Sequence, residues 1–300
     1  MVLPANINEA TDALSYVLSL RGRPLQLSTP LVMGVLNVTP DSLFDGASLG
    51  SEVNGQFQVA VDRALQRAEV MVKEGAAIID VGGESTRPGA DPVSVAEELE
   101  RVMPVIEAIS RNLDTTISID TSSPQVMTAA CQAGAGLIND VRALRREGAM
   151  SAAADSGAAV CLMHARAEPK VMQQDIHYED VVEDILEFLT QRVKDATSAG
   201  IRRDKLLIDP GFGFGKTVQQ NYRLLRYLDR FARLQFPVLV GLSRKSMIGN
   251  VVDRPPEERL AGTLAATTWA LAKGASIVRT HDVASTVDIV KIHCAVSAAE

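Results

Sequence analysis

YEDVVEDILEFLTQRVKDATSAG, residues 178–200, is the stretch that decides the fold. Tyr178, Val181, Val182, Ile185, Leu186, Leu189 and Val193 recur at steps of three and four, with Glu and Asp set between them. That spacing is the mark of a helix with one apolar face. Gly200 supplies a stop just past the last periodic residue. Two short runs of different character flank the helix: AAVCLM at 158–163 and LLID at 206–209. Strands that are apolar on both faces and joined through a helix call for parallel pairing in a sheet covered on both sides.

Working outward, the same unit repeats along the chain. Apolar runs sit at 32–38, 77–82, 116–120, 137–141, 158–163, 206–209, 237–242 and 276–280. Helical patterns follow them at 55–74, 92–111, 124–134, 147–156, 178–199, 218–233, 257–273 and 283–297. Eight strand–helix units in succession predict a closed (β/α)8 TIM barrel of the α/β class, with an open doubly wound sheet as the alternative. Residues 1–30 lie outside the pattern and read as a short N-terminal extension, a cap or an extra hairpin. Residues 31–300 read as one barrel domain, because no linker is long enough to divide them.

Composition agrees with a soluble enzyme-sized domain of 300 residues, 46% hydrophobic and 22% charged. A net charge of -7 argues against nucleic acid as a main partner, since phosphate backbones demand a basic surface. No apolar run is long enough to span a membrane, and the polar start (Asn6, Asn8, Glu9, Asp12) does not read as a signal peptide. Cys131, Cys161 and Cys294 are scattered and odd in number, so they read as reduced packing thiols of a cytoplasmic protein.

In a barrel the chemistry belongs at the C-terminal ends of the strands, and every one of the eight ends is polar. Asn37 closes the first run, GGESTRPGA follows the second, Asp120 ends the third and Asn139 the fourth. LMH ends the fifth, Asp209 opens DPGFGFGKT after the sixth, Lys245 follows the seventh, and Arg279 and His281 end the eighth. Taken singly, an Asp after a strand is most often a helix N-cap or a turn former, and a lone His such as His164 a hydrogen-bonded structural residue. Eight converging ends are not explained that way.

Several motifs are excluded. GFGFGKT is not a phosphate loop, because Pro210 stands where the first glycine of G-x-x-x-x-G-K-[ST] is required. Its glycines are expected to let the backbone run close under a flat ligand. Zinc-ligand spacing is absent among His164, His177, His281 and His293, and no G-x-S-x-G marks a serine nucleophile. What remains is a mouth rich in acceptors. Asp120, Asn139 and Asp209 suit a planar heterocycle with several N–H donors, such as an aminopyrimidine or pterin edge. Arg279 and His281, two apart on one strand, point the same way and suit a dianion such as pyrophosphate. Asn37 offers an amide oxygen to a hydrated Mg2+ that bridges phosphate oxygens.

On these residues the chain resembles the dihydropteroate synthase family, the folate-pathway enzymes targeted by sulfonamides. The matching pieces are GVLNVTPDS, GGESTRPGA, ISIDTSSPQV, INDV, LMH, LIDPGFGFGK, GLSRKSMIG and RTHDV, in the family's order from about residue 34 to 283. The resemblance implies condensation of (7,8-dihydropterin-6-yl)methyl diphosphate with p-aminobenzoate, with Mg2+ as cofactor, in a homodimer. It implies that Asp120, Asn139, Asp209 and Lys245 hold the pterin with Met163 against its ring, and that Asn37, Arg279 and His281 hold the diphosphate and its metal. Thr86, Arg87 and Pro88 would belong to a second mobile loop, and Phe214 and Ser243 to the p-aminobenzoate pocket.

The first loop departs from the family's usual Asp-Ser-Phe-Ser-Asp-Gly-Gly, reading Asp41-Ser42-Leu43-Phe44-Asp45-Gly46-Ala47. The expected consequence is retained synthase activity with an altered sulfonamide response. The segment after His164 also lacks the family's Met-Gln-Gly. Two further readings share the Asp, Asn, Asp arrangement: the pterin-binding barrel of a corrinoid-dependent methyltransferase, and a non-catalytic pterin binder. The first has no need of the STRPG loop or the Arg279/His281 pair, and the second no need of an intact Asn37, Lys245, Arg279 and His281.

Overall fold

The computed structural model describes residues 16–20, 23–40, 49–53, 56–85, 90, 92–166 and 176–299. Twelve strands among them are β1 (Tyr16–Leu20), β2 (Arg23–Leu27), β3 (Leu31–Asn37), β4 (Gly50–Val53), β5 (Gln56–Val59), β6 (Ile78–Gly82), β7 (Thr116–Asp120), β8 (Leu137–Asp140), β9 (Ala159–Met163), β10 (Leu206–Asp209), β11 (Leu239–Gly241) and β12 (Ile277–Thr280). Eight form one parallel sheet in the order β10-β9-β8-β7-β6-β3-β12-β11. A parallel bridge between Ile208 and Val238 joins its two ends, with the Ile208 N–H donating to the Pro237 carbonyl at 3.0 Å. The sheet comes round on itself as a (β/α)8 barrel, and the open-sheet alternative falls.

Helices wrap the outside: α1 (Val61–Lys73), α2 (Val95–Asn112), α3 (Pro124–Gln132), α4 (Ala149–Ser156), α5 (Val181–Ser198), α6 (Val218–Arg226), α7 (Asp229–Ala232), α8 (Ser246–Val252), α9 (Leu260–Ala272) and α10 (Val283–Ser297). In α5 the Asp180 carboxylate caps the amides of Val182 and Glu183, and Val181, Val182, Ile185, Leu189, Val193 and Ala196 make the buried stripe. A turn at Tyr227 and Leu228 between α6 and α7 interrupts the single helix expected over 218–233, and Leu228 of that turn and Phe231 of α7 are completely buried. A second difference lies in the first helical segment. Gln56–Val59 pairs antiparallel with Gly50–Val53, and the helix starts only at Val61. Gln-Phe-Gln-Val alternates with period two, which is strand chemistry, and it lies directly against a run of period 3.6.

Two separate apolar clusters follow from strand parity. Val32, Leu36, Ile79, Val81, Ile119 and Ile138 face outward and pack under the helices. Met33, Ile78, Leu137, Ala159, Cys161, Leu207, Leu239 and Ile277 face inward and fill the barrel's N-terminal end. The β1–β2 hairpin closes that end, contributing Leu18, Leu20 and Leu27 to the same cluster. Alternation then dictates what faces the axis further along each strand. Two or four residues beyond the apolar layer come Asn37, Asp80, Gly82, Asn139, Met163, Asp209 and Arg279. Asp120 pairs with Gly82 in register and joins them.

Candidate functional site

At the centre of the mouth, Arg279 lies between two carboxylates. Its Nε donates to Asp80 Oδ2 at 2.6 Å and its Nη2 to Asp120 Oδ2 at 2.8 Å. Asn139 Nδ2 donates to the same Asp80 oxygen at 3.1 Å, so the acceptor left on that amide is Oδ1. Asp120 is buried and does not cap α3, whose N-cap position is Ser123. Burial pushes the Asp120 carboxyl above the ordinary range; Arg279 opposes the shift, while Asp80, Asp140 and Glu98 add to it. Burial disfavours the charge on Arg279 too, but Asp80 and Asp120 outweigh it and hold its pKa above the usual value.

Asp209 and Lys245 form the second part. Burial raises the Asp209 pKa against the attraction of Lys245 and an N–H from Gly211 at 2.7 Å. Burial likewise lowers Lys245 to about 8, with Asp209 resisting. The Lys245 ammonium donates to the Phe212 carbonyl and stands 4.6 Å from the centre of the Phe214 ring. Phe214 packs with Val141, Met163 and Ala165 in a small apolar cluster, giving the mouth a flat apolar wall beside its acceptors.

The glycines of GFGFG let this turn run close to its own neighbours. A Cβ on Gly211, at φ +71°, would sit 1.9 Å from the His164 carbonyl oxygen, and one on Gly213, at φ +83°, would sit 3.1 Å from the Lys245 stem. The close approaches are to backbone and to Lys245. Beneath the turn, Lys216 Nζ donates to the carbonyls of Gly211 at 2.7 Å and Phe214 at 2.9 Å, and His164 Nδ1 stands 3.1 Å away.

On the other side, the Ser243 hydroxyl and His281 Nδ1 are 3.0 Å apart, and the His281 N–H donates to Ser243 at 3.3 Å. Arg67 of α1 donates to the His281 carbonyl at 3.1 Å. Arg244, at φ +55°, grips Asp282 through two hydrogen bonds of 2.8 and 2.6 Å, tying the Ser243–Lys245 loop to the end of β12. A Cβ on Gly82 would sit 3.2 Å from Asn37 Oδ1 and 3.5 Å from Asp120 Cβ, so the missing side chain leaves room between them. No group of three or more His, Cys, Asp or Glu suited to a metal occurs among the described residues. A single amide oxygen beside that room fits an ion that keeps most of its water and takes its other ligands from phosphate.

Asn37, Asp120, Asn139, Met163, Asp209, Phe214, Ser243, Lys245, Arg279 and His281 therefore all line or adjoin one mouth. Thr86, Arg87 and Pro88, and the Asp41–Ala47 loop, lie outside the described residues. Sequence reasoning overlooked Asp80 and Lys216. Asp80 is a carboxylate inside the otherwise apolar IIDVG strand, two residues before an inward glycine, and that parity is the signal that finds it. A cleft of about 320 Å3 at the closed end, lined by Tyr16, Leu18, Arg203, Phe236 and Pro237 among others, is remote from this chemistry, and its Arg203 is stacked 3.9 Å above Phe236.

The model of the family described as "Pterin binding enzyme" matches residues 33–281. The chain belongs to the dihydropteroate synthase family. It is 49% identical to the dihydropteroate synthase of Haemophilus influenzae over 268 residues, covering 89% of this chain and 94% of the relative. Identity to the Escherichia coli K12 dihydropteroate synthase is 47%, over 91% and 93% of the two chains. Among solved structures, the Yersinia pestis dihydropteroate synthase in complex with a sulfonamide drug superposes with a TM-score of 0.89 at 47% identity, covering 94% of this chain and all of the other. The Xanthomonas albilineans dihydropteroate synthase with 4-aminobenzoic acid gives 0.86 at 46%, over 95% of this chain and all of that one.

Proposed function

We propose that this mouth joins (7,8-dihydropterin-6-yl)methyl diphosphate to p-aminobenzoate, releasing 7,8-dihydropteroate and pyrophosphate for folate biosynthesis. The observation that carries the reading is the juxtaposition of the acceptors Asp120, Asn139 and Asp209 with Arg279 and His281 at one barrel end. The acceptors bind the N–H donors of the pterin, with Met163 and Phe214 against flat apolar surfaces of the substrates. Arg279, through its remaining N–H groups, and His281 hold the diphosphate.

The methylene carbon–oxygen bond breaks first, and the electron pair leaves with pyrophosphate. Asp120 and Asp209 favour the resulting pterin-stabilised cation electrostatically, and Arg279 and His281 favour the departing anion. The arylamine nitrogen then attacks the carbon to form the C–N bond, and the proton it loses passes to water. Asn37 would hold Mg2+, which when bound neutralises charge on the departing diphosphate. No covalent enzyme intermediate is required, and a pterin–enzyme adduct trapped by rapid-quench mass spectrometry overturns the scheme. Sulfonamides are expected to compete for the p-aminobenzoate position beside Phe214 and Ser243.

The dimeric state is supported by exposed apolar side chains on the packed pair α9 and α10: Trp269 at 54%, Ile292 at 64% and Val296 at 71% of full exposure. Light scattering at the mass of one chain would remove that part of the reading. A cytoplasmic setting is supported by three cysteines outside any disulfide; among the described residues no helix is long and apolar enough to cross a membrane. The deciding experiment incubates the protein with the dihydropterin diphosphate, p-aminobenzoate and Mg2+ and follows both products. Equal amounts of pyrophosphate and dihydropteroate are expected; pterin binding without either would leave a pterin binder.

A further inference from the structure

Asp80 has no place in the chemistry above, yet it is the most enclosed carboxylate of the mouth, with none of its surface exposed. A buried carboxylate is costly unless its oxygens are engaged. Here one oxygen serves two site residues: Asp80 Oδ2 takes the Arg279 Nε–H at 2.6 Å and the Asn139 Nδ2–H at 3.1 Å. The other, Oδ1, has no hydrogen-bond partner among the described residues. Among the described residues the hydroxyl of its register partner Ser118 is likewise buried without a hydrogen-bond partner.

Each bond removes an ambiguity. An Asn side chain can present either its oxygen or its NH2 to the mouth, and the two faces of the amide have almost the same shape. An anion that accepts from Nδ2 selects the orientation in which Oδ1 is the remaining acceptor. A guanidinium has a planar fork of five donors. Holding Nε on one side sets its plane, so that Nη2 reaches Asp120 at 2.8 Å and the other N–H groups remain for an anionic ligand. An amide at position 80 could keep its oxygen on both bonds but without the charge that strengthens them, whereas a side chain with no acceptor would leave Asn139 and Arg279 unheld.

We infer that Asp80 is a positioning residue that sets the amide orientation of Asn139 and the plane of Arg279, so that one buried carboxylate readies the pterin subsite and the diphosphate subsite together. The inference rests on the synthase reading for the ligands it names.

The test is Asp80→Ala, which removes the acceptor of both bonds. Titration calorimetry of 6-hydroxymethylpterin and of pyrophosphate with Mg2+, each alone, is expected to show both affinities reduced on the order of 10- to 100-fold, by analogy with the partners that orient metal-binding side chains. In steady state the KM for the pterin diphosphate should rise while the KM for p-aminobenzoate stays near that of the parent. Unchanged affinities for both probes in folded variant, or equal rises in both KM values, overturn the inference. If Asp80→Ala does not fold, the unaltered protein still decides. The Arg279 Nε–H and the Asn139 Nδ2–H should give distinct, slowly exchanging NMR signals before any ligand is added. Averaged, rapidly exchanging signals sink the proposal. If the parent makes no dihydropteroate, the synthase reading fails, and the two binding titrations still test Asp80 by themselves.

Discussion

The two ends of this barrel are built by the same strands and obey opposite rules. At the N-terminal end, inward positions such as Met33, Ile78, Leu137 and Leu207 meet Leu18, Leu20 and Leu27 of the hairpin in a wholly apolar layer. Two rungs further along the same strands the inward positions are Asp80, Asn139, Asp209 and Arg279. The lower layer gains stability from burial without direction. The upper one confines ionisable groups out of water, where each depends on a particular partner. Stability and chemistry are thus separated by about 7 Å of strand, and substitutions at the two ends should differ in kind.

Arg279→Met is expected to produce the largest change. It strips the counter-charge from Asp80 and Asp120 together, so a loss of about 3–5 kcal/mol in urea unfolding at neutral pH is expected. Dihydropteroate formation should fall on the order of 1,000-fold. Part of the lost stability should return on acidification, because burial already favours the neutral form of Asp120 and Arg279 no longer opposes it. A variant as stable as the parent at neutral pH would break the contrast between the ends.

Leu18→Ala supplies the opposite case. Removing a side chain that is 1% exposed in the plug should cost about 2–5 kcal/mol. Measured well below the melting temperature, kcat/KM should remain near that of the parent, because this buried side chain makes no contact with the transition state. A large loss of kcat/KM would mean that the plug steers the mouth, and the separation would fail.

The pH profile sharpens the picture of the mouth. Asp120 titrates above the ordinary carboxylate range because of its burial, and its anion is the form that favours a cationic pterin. Activity should therefore fall as pH drops through that raised value, roughly tenfold per unit below it. Lys245 is lowered to about 8, so its positive charge is lost as pH rises through that value, giving an alkaline limb in kcat/KM. A profile flat from pH 5 to 9 would contradict both assignments.

The smallest expected effect concerns the first loop. Leu43→Phe restores the family's usual residue and should change the ratio of sulfonamide inhibition to p-aminobenzoate KM by only a few-fold, on the order of one side-chain packing contact. An identical ratio in both proteins would show that Leu43 does not set the drug response.

Most of the barrel was legible because its strands and helices carry different periods, and the α5 stripe ending at Gly200 shows this most plainly. Reading failed where periods abutted: Gln56–Val59 was absorbed into the helix that follows it. At the site, Asn37, Asp120, Asn139, Asp209, Lys245, Arg279 and His281 were found because they stand at strand ends. Asp80 was overlooked because it stands inside a strand, and Lys216 because its partners are backbone carbonyls that any residue could supply.

By itself the sequence determined the succession of eight strand–helix units and the order of motifs that marks the family, since periodicity and local composition are written residue by residue. Tertiary structure alone decided who pairs with whom. Arg279 and Asp80 are 199 positions apart in the chain and 2.6 Å apart in the fold. Only closure of the barrel brings β12 and β6 to either side of β3, and only burial there makes the charge of one residue matter to the other. Electrostatic energy depends on distance and on exclusion of water, and neither is a property of a residue's place in the chain.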